Sequence, residues 1–140
     1  MFMAHIPNSS FPTLSSAKSP LELIGLGRQG IQKSAVMNIA KEMALTIPEL
    51  LNVLHVSERT WQRYTDTKLL PQDMTERALQ LASLYQRGTE TFGNVDKFKG
   101  WMQHPNPVFG GVKPVDLLDS LYGFRAIEDE LIRIEHGVLA

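Results

Sequence analysis

An all-α fold is predicted, with a helix-turn-helix domain first and a smaller helical domain behind it. Three features of the sequence predict it. Two Ser/Thr-x-x-Glu capping boxes, Ser19-Pro20-Leu21-Glu22 and Thr46-Ile47-Pro48-Glu49, each hold a proline in the first turn. Apolar residues recur at i, i+3, i+4 and i+7 in segment after segment. No segment sustains the period-two alternation of a half-buried strand.

Residues 1–18 are expected to form a flexible tail. The first capping box opens a short helix that ends at the glycines between 25 and 30. Residues 33–44 place Val36, Ile39, Ala40 and Met43 on one helical stripe. The second box starts a helix with Ile47, Leu50, Leu51 and Leu54 inward. Ser57 caps a further helix through Tyr64. Pro71 opens a longer one, with Met74, Ala78, Leu81, Ala82 and Tyr85 inward, closing at Gly88. Asn94 caps residues 95–103, where Phe98, Trp101 and Met102 are apolar, and His104-Pro105-Asn106-Pro107 stops that helix. Gly110-Gly111 make a tight loop. Residues 114–121 and 124–136 are the last helices, ended by Gly137 as a C′ residue. The helix-turn-helix domain is drawn over 19–90 and the second domain over 91–140.

The 140 residues are 43% hydrophobic and 21% charged, ordinary for a soluble chain of one or two small domains. There is no cysteine, which excludes disulfide scaffolds, thiolate zinc sites and cysteine nucleophiles. No apolar run approaches the roughly 20 residues of a membrane span. The N-terminal stretch lacks a basic segment followed by an apolar core, so no signal peptide and a cytoplasmic location are expected. The net charge of −1 hides an asymmetry. Residues 1–68 hold seven Lys/Arg and five Asp/Glu, +2, whereas residues 69–140 hold seven and ten, −3. Residues 114–140 alone hold two and six, −4. The front half suits an anion and the tail a basic partner. A chain so near neutrality binds nucleic acid through a local patch, doubled in a dimer.

Gly25-Leu26-Gly27-Arg28-Gln29-Gly30 spells G-x-G-x-x-G. A dinucleotide fold needs a strand before it and an acidic strand end about 20 residues on. Residues 21–24 are too few and start as a helix, and Glu49 sits in a capping box. The glycines therefore read as a break between helices, and no cofactor is expected. His5, His55, His104 and His136 lack the spacing of a metal site. Glu128-Asp129-Glu130 point in successive directions round a helix and cannot converge on an ion, so a solvated acidic face is expected. No nucleophile–base pair is visible, and an enzyme is not expected.

Glu49-Leu50-Leu51-x-x-Leu54-His55-Val56-Ser57-x-x-Thr60-Trp61-x-Arg63 has helix-turn-helix spacing. Val56 plugs the corner, and Trp61 and Tyr64 face or flank the core. Ser57, Glu58, Arg59, Gln62 and Arg63 are left outward. Arg suits guanine edges or phosphate, Gln suits adenine, and Ser suits either. With Thr60, and with Lys68 reaching for a phosphate just past the helix, these are the candidate DNA contacts. His55 stands where glycine usually takes the left-handed conformation, which His tolerates better than most residues. The competing reading is a helical hairpin with a merely solvated outer face.

Further on come Trp101-Met102-x-x-Pro105-Asn106-Pro107-x-Phe109-Gly110-Gly111-x-x-Pro114-x-Asp116-Leu117-Leu118 and Arg125-x-x-Glu128-Asp129-x-Leu131-x-Arg133-Ile134-Glu135-His136-Gly137. With the helix-turn-helix in front, this order resembles the Xre/MbcA/ParS family of antitoxins over residues 20–140, most of all those paired with RES-domain toxins. The resemblance implies a non-catalytic protein. Its N-terminal half would bind its own operator, and its C-terminal half would block an NAD-depleting toxin. The departures are His55 in the turn and Gln72-Asp73 after Pro71, where a Ser-Pro-Glu-like cap is more usual.

The residues of the second region are consistent with this. Two prolines stiffen and two glycines tighten the loop around Asn106, Phe109, Gly110 and Gly111, and Phe109 is a core or interface anchor. On the last helix Ile127, Leu131 and Ile134 form the packing stripe, while Arg125, Glu128 and Asp129 lie on others. Arg133, Glu135, His136 and Gly137 end the helix, and Val138 and Leu139 give it an apolar finish. An acidic helix end with an apolar tail suits a basic, nucleotide-binding cleft. These loop and helix residues, apart from the packing stripe, are the candidate toxin contacts. The expected protein is an antitoxin and autorepressor. Its expected partners are a RES-domain toxin and operator DNA, bound as a homodimer within a larger complex. Two other readings stay open: an ordinary regulator whose C-terminal half dimerises or binds a ligand, and a nucleotide-binding enzyme built on glycines 25–30.

Overall fold

The structure, a computed structural model, describes residues 19–137. The expected tail, 1–18, and the candidate contacts Val138 and Leu139 lie outside the described residues. Among the described residues seven α-helices follow one another: α1 (Pro20–Gln29), α2 (Lys33–Glu42), α3 (Ile47–Leu54), α4 (Glu58–Arg63), α5 (Gln72–Phe92), α6 (Val95–Met102) and α7 (Leu121–Gly137). Two short 3-10 turns, Pro107–Phe109 and Pro114–Leu117, lie between α6 and α7. Among the described residues no strand forms, and the β pairing is limited to isolated bridges at Gln32–Leu69 and Asn106–Val112. The fold is all-α, as the patterning predicts. The chain divides into two units, one up to Ser83 and one from Leu84.

In the first unit both capping boxes close. The Glu22 N–H donates to Ser19 Oγ at 3.2 Å, and the Ser19 N–H donates to the Glu22 carboxylate at 2.8 Å. Thr46 and Glu49 repeat the exchange at 3.2 and 2.9 Å. The expected stripes of α2 and α3 are inward: Val36, Ile39, Leu50 and Leu54 are buried, with Ile31 and Leu81 against the same core. Each such side chain contributes about 1.5–3 kcal/mol relative to exposure.

α1 ends later than its first glycines suggest. Gly25 and Gly27 lie inside it, and the helix stops at Gly30, whose φ is 91°. Among the described residues no strand precedes these glycines, and the G-x-G-x-x-G spacing belongs to a helix and its cap. A Cβ at 27 would meet only the flexible Glu76 side chain, at 3.0 Å. One at 30 would stand 2.6 Å from the Leu70 carbonyl oxygen, on a backbone with positive φ. Gly27→Ala is therefore expected to change stability by less than about 1 kcal/mol, since alanine's helix preference offsets the crowding. Gly30→Ala is expected to lose more than about 1 kcal/mol. Thermal denaturation of the two variants checks the contrast.

α2 has no side-chain cap at its start. Its first amides find backbone partners instead, as buried N–H groups must. The Lys33 N–H donates to Lys68 O at 3.1 Å and the Ser34 N–H to Asp66 O at 2.9 Å. The Leu70 N–H donates to Ile31 O at 2.9 Å. Buried Thr75 completes the stitch, donating to Leu70 O at 3.2 Å and accepting from the Ile31 N–H at 3.3 Å. The loop behind α4 is thereby tied to the beginning of α2.

The second unit corrects three expected boundaries. α5 does not close at Gly88 but runs on to Phe92, and Gly93 takes the positive φ, 95°. Gly88 serves packing: a Cβ there would stand 2.4 Å from the Phe98 ring. That ring meets Tyr85 edge-on at 5.0 Å and Trp101 at 5.9 Å. The helix expected over 114–121 is only the 3-10 turn Pro114–Leu117, and the last helix begins at Leu121 rather than 124. The first turn of α7 passes close over Leu117, and glycine at 123 permits it. Gly137 is the last residue of α7 and has no positive φ, so it is not a left-handed C′ cap. No helix among the described residues is long and apolar enough to cross a membrane.

Candidate functional site

α3 ends at His55 with φ 58° and ψ 47°, a left-handed turn made without glycine. Val56 is half-buried at the corner. Ser57 caps α4: its Oγ accepts the Thr60 N–H at 3.1 Å and donates to Thr60 Oγ1 at 3.0 Å. Trp61, 3% exposed, roots α4 in the core. Its neighbours Glu58, Arg59, Gln62 and Arg63 are exposed, as are Ser57 and Lys68, while Thr60 is half-buried. Gln62 donates to Glu58 one turn back at 3.4 Å. Arg59, Arg63 and Lys68 form no ion pair among the described residues. The outer surface of α4 and its loop thus present three uncommitted cations, suited to phosphates or guanine edges. The hydroxyls of Ser57 and Thr60 are engaged in the cap.

In the second unit the loop at 106–112 is closed on itself. The Asn106 N–H donates to Val112 O at 3.1 Å, and the Gly111 N–H to Asn106 O at 2.9 Å. The Asn106 side chain accepts the Val108 N–H at 2.9 Å. Gly110 and Gly111 have φ of 70° and 86°, a succession that glycine adopts without strain. Phe109 is half-buried with its ring edge-on to Trp101 at 6.1 Å, so it anchors the loop to its own unit. The loop displays two apolar side chains, Val108, 56% exposed, and Val112, 39% exposed.

α7 buries Phe124, Ile127 and Leu131. Its other side exposes Leu121, Tyr122 (81%) and Ile132, with Arg125, Glu128, Asp129 and His136 among them. Those three apolar residues are absent from the sequence-based set. Their signal was present: they fall off the Ile127/Leu131 stripe yet are large and apolar. Glu130 departs from the expected solvated face. It is 7% exposed and accepts two hydrogen bonds from Arg133, the one from Nε at 2.9 Å. Glu135 accepts from the Thr91 hydroxyl at 2.6 Å and from Arg87 at 3.3 Å. Arg133 and Glu135 are therefore engaged inside the unit. No group of three or more His, Asp or Glu is placed to hold a metal among the described residues.

The Thr91 hydrogen bond, opposed by partial burial and aided by Arg87, holds the Glu135 carboxyl below the ordinary glutamate value. Folding therefore favours its carboxylate. The resulting stability is present above the unfolded value, about 4.3, and is lost as pH falls through the depressed folded one. Thr91→Val is expected to raise the midpoint of Glu135 in a carbon-detected NMR titration.

Two helical units, the first presenting unpaired cations on the second helix of a helix-turn-helix, define a helix-turn-helix protein with an appended helical domain. Comparison with known proteins supplies the family. Residues 22–83 match the antitoxin Xre-like helix-turn-helix domain, and residues 87–137 match the antitoxin Xre/MbcA/ParS C-terminal toxin-binding domain. The chain belongs to the Xre/MbcA/ParS family of antitoxins. It is also similar to a Prs ADP-ribosylating antitoxin of Sphingobium sp. (strain YBL2), with 26% identity over 132 residues, 87% of this chain and 83% of that protein.

Proposed function

We propose that this antitoxin neutralises a co-encoded RES-type toxin through its C-terminal domain and represses its own operon through α4. In this reading it is cytoplasmic, does no chemistry of its own, takes no cofactor, and works as a homodimer within a larger complex. The observation that carries the proposal is the toxin-binding domain match over 87–137, on a unit whose last helix exposes Leu121, Tyr122 and Ile132. The Sphingobium relative is named for ADP-ribosylation. That reaction and NAD depletion both break the nicotinamide–ribose bond, so the proposed toxin takes NAD as substrate.

The proposed DNA set is Ser57, Glu58, Arg59, Thr60, Gln62, Arg63 and Lys68, with the three cations supplying the affinity. The proposed toxin set is Asn106, Phe109, Gly110 and Gly111 of the loop, with Arg125, Glu128, Asp129, His136 and Gly137 of α7. Leu121, Tyr122 and Ile132 join it, and Val138 and Leu139 are kept in it. Arg133 and Glu135 act through the shape of the α7 end.

Co-expression with the product of the adjacent RES reading frame tests the proposal, read as growth rescue and co-purification. Tyr122→Ala/Ile132→Ala is expected to lose both while helix content is kept, because exposed aromatic and aliphatic anchors dominate interface energy. Full rescue by that variant moves the contacts to the 106–112 loop. No complex with the wild-type chain overturns the reading. Truncation after Gly137 is a cleaner probe of the last residues than truncation after Arg133, which also removes the Glu135 links to Thr91 and Arg87.

A further inference from the structure

α2 begins with a lysine, the unfavourable charge for a helix N-terminus. The ammonium of half-buried Lys33 serves another helix. It donates to Trp61 O at 2.9 Å and to Tyr64 O at 3.0 Å, carbonyls at the end of α4. It also stands 5.0 Å from the centre of the Trp61 ring. The exchange runs both ways, because the backbone amides of Lys33 and Ser34 hold Lys68 O and Asp66 O in the following loop. We infer that Lys33 is a positioning residue for DNA binding: it fixes the pose of α4 and of the Lys68 loop, and touches no DNA itself. The inference rests on α4 being the DNA-reading helix proposed above.

A helix of six residues does not hold its shape alone. Its last carbonyls run out of i+4 partners: Trp61 O accepts the Tyr64 N–H at 3.2 Å, and Lys33 donates both to it and to Tyr64 O. Such charge-assisted hydrogen bonds are about twice as strong as neutral ones, and the ring adds a cation–π contact. Arg59 and Arg63 read a groove only if α4 is held to within about 0.5 Å. Burial of Trp61 fixes the depth of α4, and the clamp on its carbonyls fixes its rotation.

Lys33→Met keeps the aliphatic stem and removes the cation, whereas Lys33→Arg keeps the cation and its donors. Three readouts are taken well below the melting temperature. They are affinity for a duplex of the DNA upstream of the gene, its salt dependence, and amide hydrogen exchange of residues 58–68. Lys33→Met is expected to bind about tenfold more weakly, the size of one lost charged hydrogen bond. The slope of log affinity on log salt should not change, whereas Lys68→Ala should reduce it by about one. Exchange over 58–68 should quicken while that of α3 stays, and Lys33→Arg should restore most of both. Wild-type affinity in Lys33→Met overturns the positioning role. So does a slope altered as in Lys68→Ala, which would make Lys33 a phosphate contact. If Lys33→Met does not fold, the wild-type ammonium decides: held by two carbonyls, its protons should exchange slowly enough to be seen by nitrogen NMR. A fast-exchanging, surface-like ammonium overturns the clamp. No binding of the duplex by the wild-type chain overturns the DNA reading, and the positioning role falls with it. A loose clamp in a chain that binds overturns the inference alone.

Discussion

Gly123→Ala is expected to unfold the C-terminal unit of the intact chain and abolish toxin neutralisation. A Cβ at 123 would stand 1.6 Å from the Leu117 carbonyl oxygen and 2.6 Å from its carbon. These are backbone atoms, so no rotamer change relieves the overlap. Either the first turn of α7 or the 3-10 turn must withdraw. Withdrawal takes Phe124 and Ile127, or Val115 and Leu118, out of the core. The expected loss exceeds about 4 kcal/mol, in the range reserved for gross steric or cavity defects. Thermal unfolding followed by circular dichroism, with growth rescue alongside, measures it. A near-wild-type melt would mean that α7 has room to shift over Leu117.

Arg59→Ala/Arg63→Ala is expected to remove operator binding without disturbing the fold. Both side chains are exposed, and neither forms an ion pair among the described residues. A base-reading arginine is worth about 1–3 kcal/mol, so the pair should cost at least about thirtyfold in affinity. Lys68→Ala should weaken specific and random duplexes alike. Fluorescence anisotropy at two salt concentrations separates the cases. Unchanged affinity in the double variant would place the DNA contact on another helix.

The helix-turn-helix was legible in the sequence because its determinants are local. The Ser57 cap, the left-handed His55 and the buried Trp61 each follow from a residue and its neighbours within one turn. Glycines were harder to read. Gly88 and Gly123 resemble helix stops, yet both sit inside helices. The atoms that require them, in Phe98 and Leu117, lie on neighbouring segments and leave no local trace. The acidic residues of α7 divide the same way. Glu130 and Arg133, three apart, are a pair that spacing alone suggests. Glu135 is held by Thr91 and Arg87, which lie on α5, and periodicity cannot reveal that. Lys33 was hidden for the same reason, since its partners lie on α4 and its cap residue, with all of α3 in between.

The closed loop at 106–112 has an entropic consequence for whatever docks beside it. Ordering one residue's backbone takes about 1–2 kcal/mol, and a slack loop would meet that demand at the moment of association. Here the hydrogen bonds of Asn106 and the two left-handed glycines have already met it during folding. Any contact a partner makes with the exposed Val108 would then be felt almost undiminished as residence time, because pre-organisation lowers the ordering cost of binding. Slow dissociation is the property the proposed inhibitor of an NAD-consuming toxin would need, because a single escaped enzyme can drain a shared metabolite.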